Sequence, residues 1–158
     1  MGTSATSSQE LSARDIRLAI VTARYNEDIV GQLLAGARMA WQRLGGSEGA
    51  LLIEQVPGAY ELPLAARAFA LSDRVDAVVA LGCVIRGDTA HFDFVAGECA
   101  SGIQRVMLDT GVPVSFGVLT VENQAQAEER ADPARMDKGG EAVECAIAMV
   151  QLLRKIPG

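Results

Sequence analysis

Arg17 to Thr22 is a short apolar run that gives way to polar Arg24-Tyr25-Asn26, the pattern of a buried strand feeding a loop. Ile29, Leu33, Ala37, Ala40 and Leu44 then recur at helical spacing. Asn26 is placed to cap that helix, Glu27 and Asp28 lie in its first turn, and Gly45-Gly46 stops it. Ala50 to Val56 reads as a second strand broken by Pro57-Gly58, after which Leu62, Ala65, Ala66, Phe69 and Ala70 define a second helix face. Asp76 to Ile85 is the most apolar strand. It shows no polar alternation before Arg86, as expected of a mid-sheet strand covered on both faces. Ala90 to Leu108 reads as a third helix, Pro113 to Val121 as a fourth strand and Asn123 to Arg130 as a short helix. A Pro-containing connection at 132–137 leads to a long last helix, Glu141 to Lys155.

Strands alternating with helices imply right-handed β-α-β crossovers and a parallel sheet covered by helices. The expected fold is α/β, a three-layer α/β/α sandwich around a four-stranded parallel sheet in flavodoxin-like order 2-1-3-4. In such sheets a ligand binds beyond the carboxyl ends of the strands, where the strand order reverses. With strand one between strands two and three, the loops at Tyr25, Gly58 to Glu61 and Arg86 to His91 converge there. Of the 158 residues 49% are hydrophobic, enough for a single core. One domain is expected over 15–158, after a flexible N-terminal tail at 1–14.

Charge narrows the partners. Fourteen Lys and Arg against twenty Asp and Glu leave a net charge of -6, with no basic run to follow a phosphate backbone, so nucleic acid is not an expected partner. Cys83, Cys99 and Cys145 stand far apart without a C-x-x-C pair; their odd number argues against a disulfide scaffold and fits a reducing cytoplasm. With His91 as the single histidine, no metal is expected. No apolar stretch approaches the roughly 18 residues of a membrane span, and the start lacks signal-peptide order, so a soluble cytoplasmic protein without membrane contact is expected. Met1-Gly2-Thr3-Ser4-Ala5-Thr6 matches the loose myristoylation pattern, but a small, polar tail explains those residues without a lipid.

The segment Arg86-Gly87-Asp88-Thr89-Ala90-His91 leaves a buried strand through a glycine and opens a helix, so several amide N–H groups face the loop without intrahelical partners. Gly87 allows close backbone approach to an anion and Thr89 adds a hydroxyl, although no Walker or dinucleotide glycine pattern occurs. The same residues suit a plain glycine turn with Asp88 or Thr89 as helix cap. His91 falls in the first helical turn, where the dipole favours a neutral imidazole able to move protons; it equally suits a packed residue beside Phe92. Glu61 offers a carboxylate to ligand hydroxyls or stabilises its helix start, and Tyr25 offers a flat face to a heteroaromatic ring or fills a rim. Arg130 and Lys138 bracket the Pro133 connection as solvated charges or phosphate ligands. Lys138 near the start of the last helix opposes its dipole unless an anion is near.

In order and spacing, Arg24-Tyr25-Asn26-Glu27-Asp28-Ile29, Pro57 to Pro63, Gly82 to Val95, Gly117 to Thr120, Glu129-Arg130-Ala131 and Lys138-Gly139-Gly140-Glu141-Ala142 resemble the lumazine synthases. The resemblance runs from about Arg17 to Leu153. It implies condensation of 5-amino-6-ribitylaminouracil with 3,4-dihydroxy-2-butanone 4-phosphate to 6,7-dimethyl-8-ribityllumazine, releasing phosphate. That reaction is the penultimate step of riboflavin biosynthesis and uses no cofactor. By the resemblance, Tyr25 stacks on the pyrimidine with Asn26 beside it, Ala59, Tyr60 and Glu61 hold the ribityl chain, and the backbone of Cys83, Val84 and Ile85 meets the pyrimidine. Gly87, Asp88 and Thr89 match the phosphate loop, His91 the proton-transfer residue and Arg130 the phosphate-binding guanidinium, the last two being the catalytic pair.

Phe116, Arg130 and Lys138 are implied to complete a neighbouring subunit's pocket. The implied partners are therefore small-molecule substrates and further copies of the chain, in a pentamer or multiples of it with active sites at subunit interfaces. Asp88 departs from the pattern, since its carboxylate repels phosphate unless it points away and only its N–H contributes. The 132–137 connection lacks the glycine-rich form of shell-forming relatives, which favours an isolated pentamer. A non-catalytic lumazine or flavin carrier on the same fold is the alternative, although a carrier has less need of a phosphate cradle beside a titratable base.

Overall fold

The computed structural model describes residues 10–158, so the myristoylation-like segment and most of the expected tail lie outside the described residues. Strand β1 (Leu18–Ala23) is buried at every position, and β3 (Ala77–Ile85) over its first seven. Both pair on two sides: β2 (Leu51–Val56) flanks β1, β4 (Val114–Val121) flanks β3, and the order is β2-β1-β3-β4 with every pairing parallel. Successive strand residues face opposite cores, as a period of two requires. Leu18, Ile20, Val79 and Leu81 pack beneath α1 (Glu27–Arg43) and α5 (Lys138–Lys155), whereas Ala19, Val21, Val78 and Ala80 pack beneath α2 (Leu62–Leu71) and α3 (His91–Thr110). With the short α4 (Gln124–Ala131), this is the expected three-layer α/β/α sandwich in order 2-1-3-4.

Element ends differ in instructive ways. The last helix begins at Lys138, not Glu141, capped by Asp137, whose carboxylate accepts the Gly140 amide at 3.2 Å. Two glycines in its first turn hide the helical period in the sequence, and their reason lies in α1. A Cβ on Gly139 would run into the Leu33 carbonyl oxygen, and one on Gly36 into the Asp137 carboxylate. These glycines let α1 and α5 cross at backbone distance. The third helix runs to Thr110, where Gly111 takes a left-handed φ of 72°. Upstream of residue 15, Ala13 is buried, Leu11 packs against the α1–α5 core, and the Glu10 carbonyl accepts Gln151 Nε2 at 3.4 Å.

At the amino end of the sheet, Asp76 accepts the Arg17 amide at 2.7 Å and the Arg17 guanidinium at 3.1 Å, with Arg154 at 3.7 Å. Burial alone would raise this carboxyl, but hydrogen bonds from Arg17 and the charges of Arg17 and Arg154 hold it below the ordinary carboxylate range. A depressed folded-state value stabilises the fold above the unfolded range, and that contribution is lost as pH falls through the folded value. Asp76→Asn should therefore melt below the parent at pH 7, and the gap should close below about pH 4, which thermal melts across pH measure.

Candidate active site

The carboxyl ends of β2, β1 and β3 open onto a cleft of about 700 Å³. Tyr25 and Asn26 reach it from the end of β1, and the Pro57–Glu61 segment from β2. Cys83, Val84 and Ile85 reach it from β3, and Gly87, Thr89 and His91 from the loop that opens α3. The cleft thus lies where the strand order reverses, the expected ligand position in such a sheet.

Each wall is set by local structure. The Arg24 amide donates to the Val56 carbonyl at 2.8 Å and the Tyr25 amide to the Pro57 carbonyl at 3.2 Å, which prolongs β1–β2 pairing to the cleft edge. The Tyr25 ring is left 74% exposed. Asn26 occupies the cap position of α1 but does not cap it. Its left-handed backbone, φ 61° and ψ 49°, turns the side chain to β3, where Nδ2 donates to the Cys83 carbonyl at 2.8 Å. Across the cleft a 3-10 turn, Ala59–Glu61, roots itself with buried Ala59 and leaves Tyr60 exposed. The Glu61 carboxylate makes no cap hydrogen bond to α2, so it stays available to the cleft.

The cradle begins where the Arg86 amide makes the last β3–β4 rung, donating to Val121 at 2.9 Å. Beyond it, among the described residues, the amides of Gly87, Asp88, Thr89 and Ala90 donate to no protein acceptor. Thr89 Oγ1 accepts the His91 amide at 3.3 Å, so Thr89 rather than Asp88 supports the helix start. No atom lies within 4 Å of where a Gly87 Cβ would stand, so the fold leaves that space open. The Asp88 side chain is exposed and does not line the cleft. His91 is exposed at the first position of α3, on the cleft side, rather than packed as a core residue. Burial pushes the Cys83 thiol up to about 11, so at neutral pH it is a neutral wall atom and not a nucleophile.

Phe116, Arg130 and Lys138 lie elsewhere. They line a groove of about 430 Å³ along β4, one of the two edge strands of the sheet, together with Glu141 and Cys145. Phe116 is 42% exposed, Arg130 donates to the Gln126 carbonyl at 3.2 Å, and Lys138 Nζ pairs with Glu141 at 3.0 Å. The sequence-predicted residues therefore fall in two places within one chain. The cleft also contains Phe94 and Val95, which lie within the Gly82–Val95 segment but were assigned no role; Phe94 is 69% exposed. Its position three residues after His91, on the same helical face, was the available signal.

A family model for 6,7-dimethyl-8-ribityllumazine synthase matches residues 15–154. The chain belongs to that family. The 6,7-dimethyl-8-ribityllumazine synthase of Thermus thermophilus is 51% identical over 146 residues, covering 92% of this chain and 93% of the relative. Those of Chlorobium limicola and Edwardsiella ictaluri are 50% and 52% identical, each over 92% of this chain and 94% of the relative. Both the cleft and the β4-edge groove lie inside this lumazine synthase match. Among the described residues no cluster of three or more His, Cys, Asp or Glu is placed to hold a metal ion, and no helix is long and apolar enough to cross a membrane.

Proposed function

We propose that this chain condenses 5-amino-6-ribitylaminouracil with 3,4-dihydroxy-2-butanone 4-phosphate, giving 6,7-dimethyl-8-ribityllumazine and phosphate in riboflavin biosynthesis. The observation that carries the reading is one cleft joining an exposed aromatic face after β1, a free carboxylate after β2, and unpaired cradle amides beside an imidazole after β3. In this reading the Tyr25 ring stacks on the pyrimidine with Asn26 beside it, and the backbone of Cys83, Val84 and Ile85 meets its polar edge. Ala59, Tyr60 and Glu61 take the ribityl hydroxyls, and the Gly87, Asp88 and Thr89 amides take the phosphate. The amine attacks the ketone and loses water to give an imine, phosphate then leaves, and ring closure with dehydration completes the product. Holding both reactants together supplies much of the rate, and His91 moves protons between them.

Phe116, Arg130 and Lys138 then serve the cleft of a neighbouring copy. Two different surfaces on one chain, a cleft and a complementary edge, make a head-to-tail contact that closes into a ring. The ring is a pentamer by resemblance to the family, and the cytoplasm is its compartment. Mixing purified protein with both substrates should release phosphate in step with the appearance of lumazine fluorescence; binding without turnover would instead favour a carrier. His91→Ala should slow turnover by about 10- to 100-fold, at or below the low end for acid–base residues because the substrate amine and solvent also carry protons. Pyrimidine affinity, measured by titration, should stay near that of the parent. Parental turnover in that variant would remove His91 from the chemistry.

A further inference from the structure

Arg86 follows β3 immediately before the cradle, and the reaction above gives it no part. A guanidinium in that place would ordinarily be read as a phosphate ligand. Two of its donors and its face are already engaged: Nε donates to Glu122 Oε2 at 3.0 Å, Nη1 donates to Asp93 Oδ1 at 3.3 Å, and Cζ lies 4.3 Å from the centre of the Phe92 ring. Two carboxylates more than offset its charge, and Arg86 is not among the residues that line the cleft, whereas Phe92 is.

These contacts tie together segments far apart in sequence. Phe92 and Asp93 belong to the first turn of α3, beside His91, and Glu122 follows the last residue of β4. The Glu122 amide donates to Gln126 Oε1 at 2.8 Å, and the Gln126 carbonyl accepts Arg130 at 3.2 Å. A bonded path therefore runs from the start of α3 through Arg86 to the arginine of the β4-edge groove. The cradle itself has exposed residues and amides without protein acceptors, so little else restrains it.

We propose that Arg86 is a positioning residue, a strut that sets the cradle and His91 against the β4–α4 segment carrying Arg130. The inference rests on the reaction proposed above. Exposed ion pairs contribute little to folding, so the strut acts on the geometry of the site more than on stability. A planar fork with a stacked face fixes orientation in a way that the point charge of lysine does not.

The test compares Arg86→Ala, Arg86→Lys, Glu122→Gln and Asp93→Asn in the full chain. Measurements are kcat and KM for each substrate, product binding by lumazine fluorescence, and thermal melting. Arg86→Ala should lower kcat/KM for the phosphorylated ketone by about 10- to 100-fold, the scale of a small misplacement of reacting groups. Lumazine affinity should change by less than about twofold and melting hardly at all. Arg86→Lys should recover part of the loss. Glu122→Gln should lose less, and the Arg86→Ala, Glu122→Gln pair should be no worse than Arg86→Ala alone. Parental ketone kinetics in Arg86→Ala, or equal losses in lumazine binding and melting, would overturn the strut. Should Arg86→Ala not fold, the two exposed carboxylate variants decide: parental ketone kinetics in both overturns it. An inactive parent protein would refute the reaction instead, so the two failures are distinct.

Discussion

Arg130→Ala is expected to lower kcat/KM for the phosphorylated ketone by about 10²- to 10³-fold while leaving lumazine binding close to the parent's. The guanidinium lies in the β4-edge groove, where among the described residues it is held only by the Gln126 carbonyl at 3.2 Å and a long contact to Glu129 at 3.9 Å. Its remaining donors are free to form a two-pronged contact with a phosphate from a neighbouring copy. Hydrogen bonds to charged groups contribute about 1.5–3 kcal/mol each, so losing such a pair accounts for a change of that size. The lumazine product carries no phosphate, which is why its affinity should not follow. Initial rates at varied ketone concentration measure the effect, and Arg130→Lys should fall between alanine and the parent because it keeps charge without the fork. Unchanged ketone kinetics would take Arg130 out of the site.

The largest expected effect on stability comes from a single added carbon. Gly139→Ala places a Cβ against the Leu33 carbonyl oxygen, with the Leu33 Cα within 2.9 Å, and neither backbone atom can rotate away as a flexible side chain would. Relief requires α1 and α5 to separate, which loosens Ile29, Leu33, Val143 and Ile147 in the core between them. The expected cost is about 3 kcal/mol, at the upper end for overpacking, and a fall in melting temperature of roughly 10 °C. Lys138, the residue before Gly139, would shift with the helix start, so ketone use should weaken as well. A melting temperature equal to the parent's would mean that the crossing is looser than the backbone distances indicate.

The strands and the cradle are legible in sequence because their signals are local. Apolar runs mark β1 as a buried strand and, without any alternation, β3 as covered on both faces, and a glycine between such a run and a helix start marks Gly87. Asn26 is not legible, because its cap position is plain while its left-handed backbone and its reach to Cys83 depend on β1 lying beside β3. The start of the last helix at Lys138 escapes for a related reason, since the glycines that obscure it answer to Leu33 and Asp137. Phe116 shows the limit of alternation: period two assigns a face, but not whether an edge strand has solvent or another chain beside it. Arg86 reads as the polar end of a strand until the β3–β4 register, Ile85 against Val121, brings Glu122 alongside.

The proposed reaction draws one site from two chains, and co-assembly tests that directly. A Tyr25→Ala, Glu61→Ala variant has a damaged cleft and an intact Arg130; Arg130→Ala has the reverse. Each alone should be nearly inactive. Co-expressed in equal amounts and purified as mixed oligomers, they should regain about a quarter of parental turnover, the fraction of contacts that join an intact cleft to an intact arginine. Mixed oligomers no more active than the two variants measured separately would contradict a shared site.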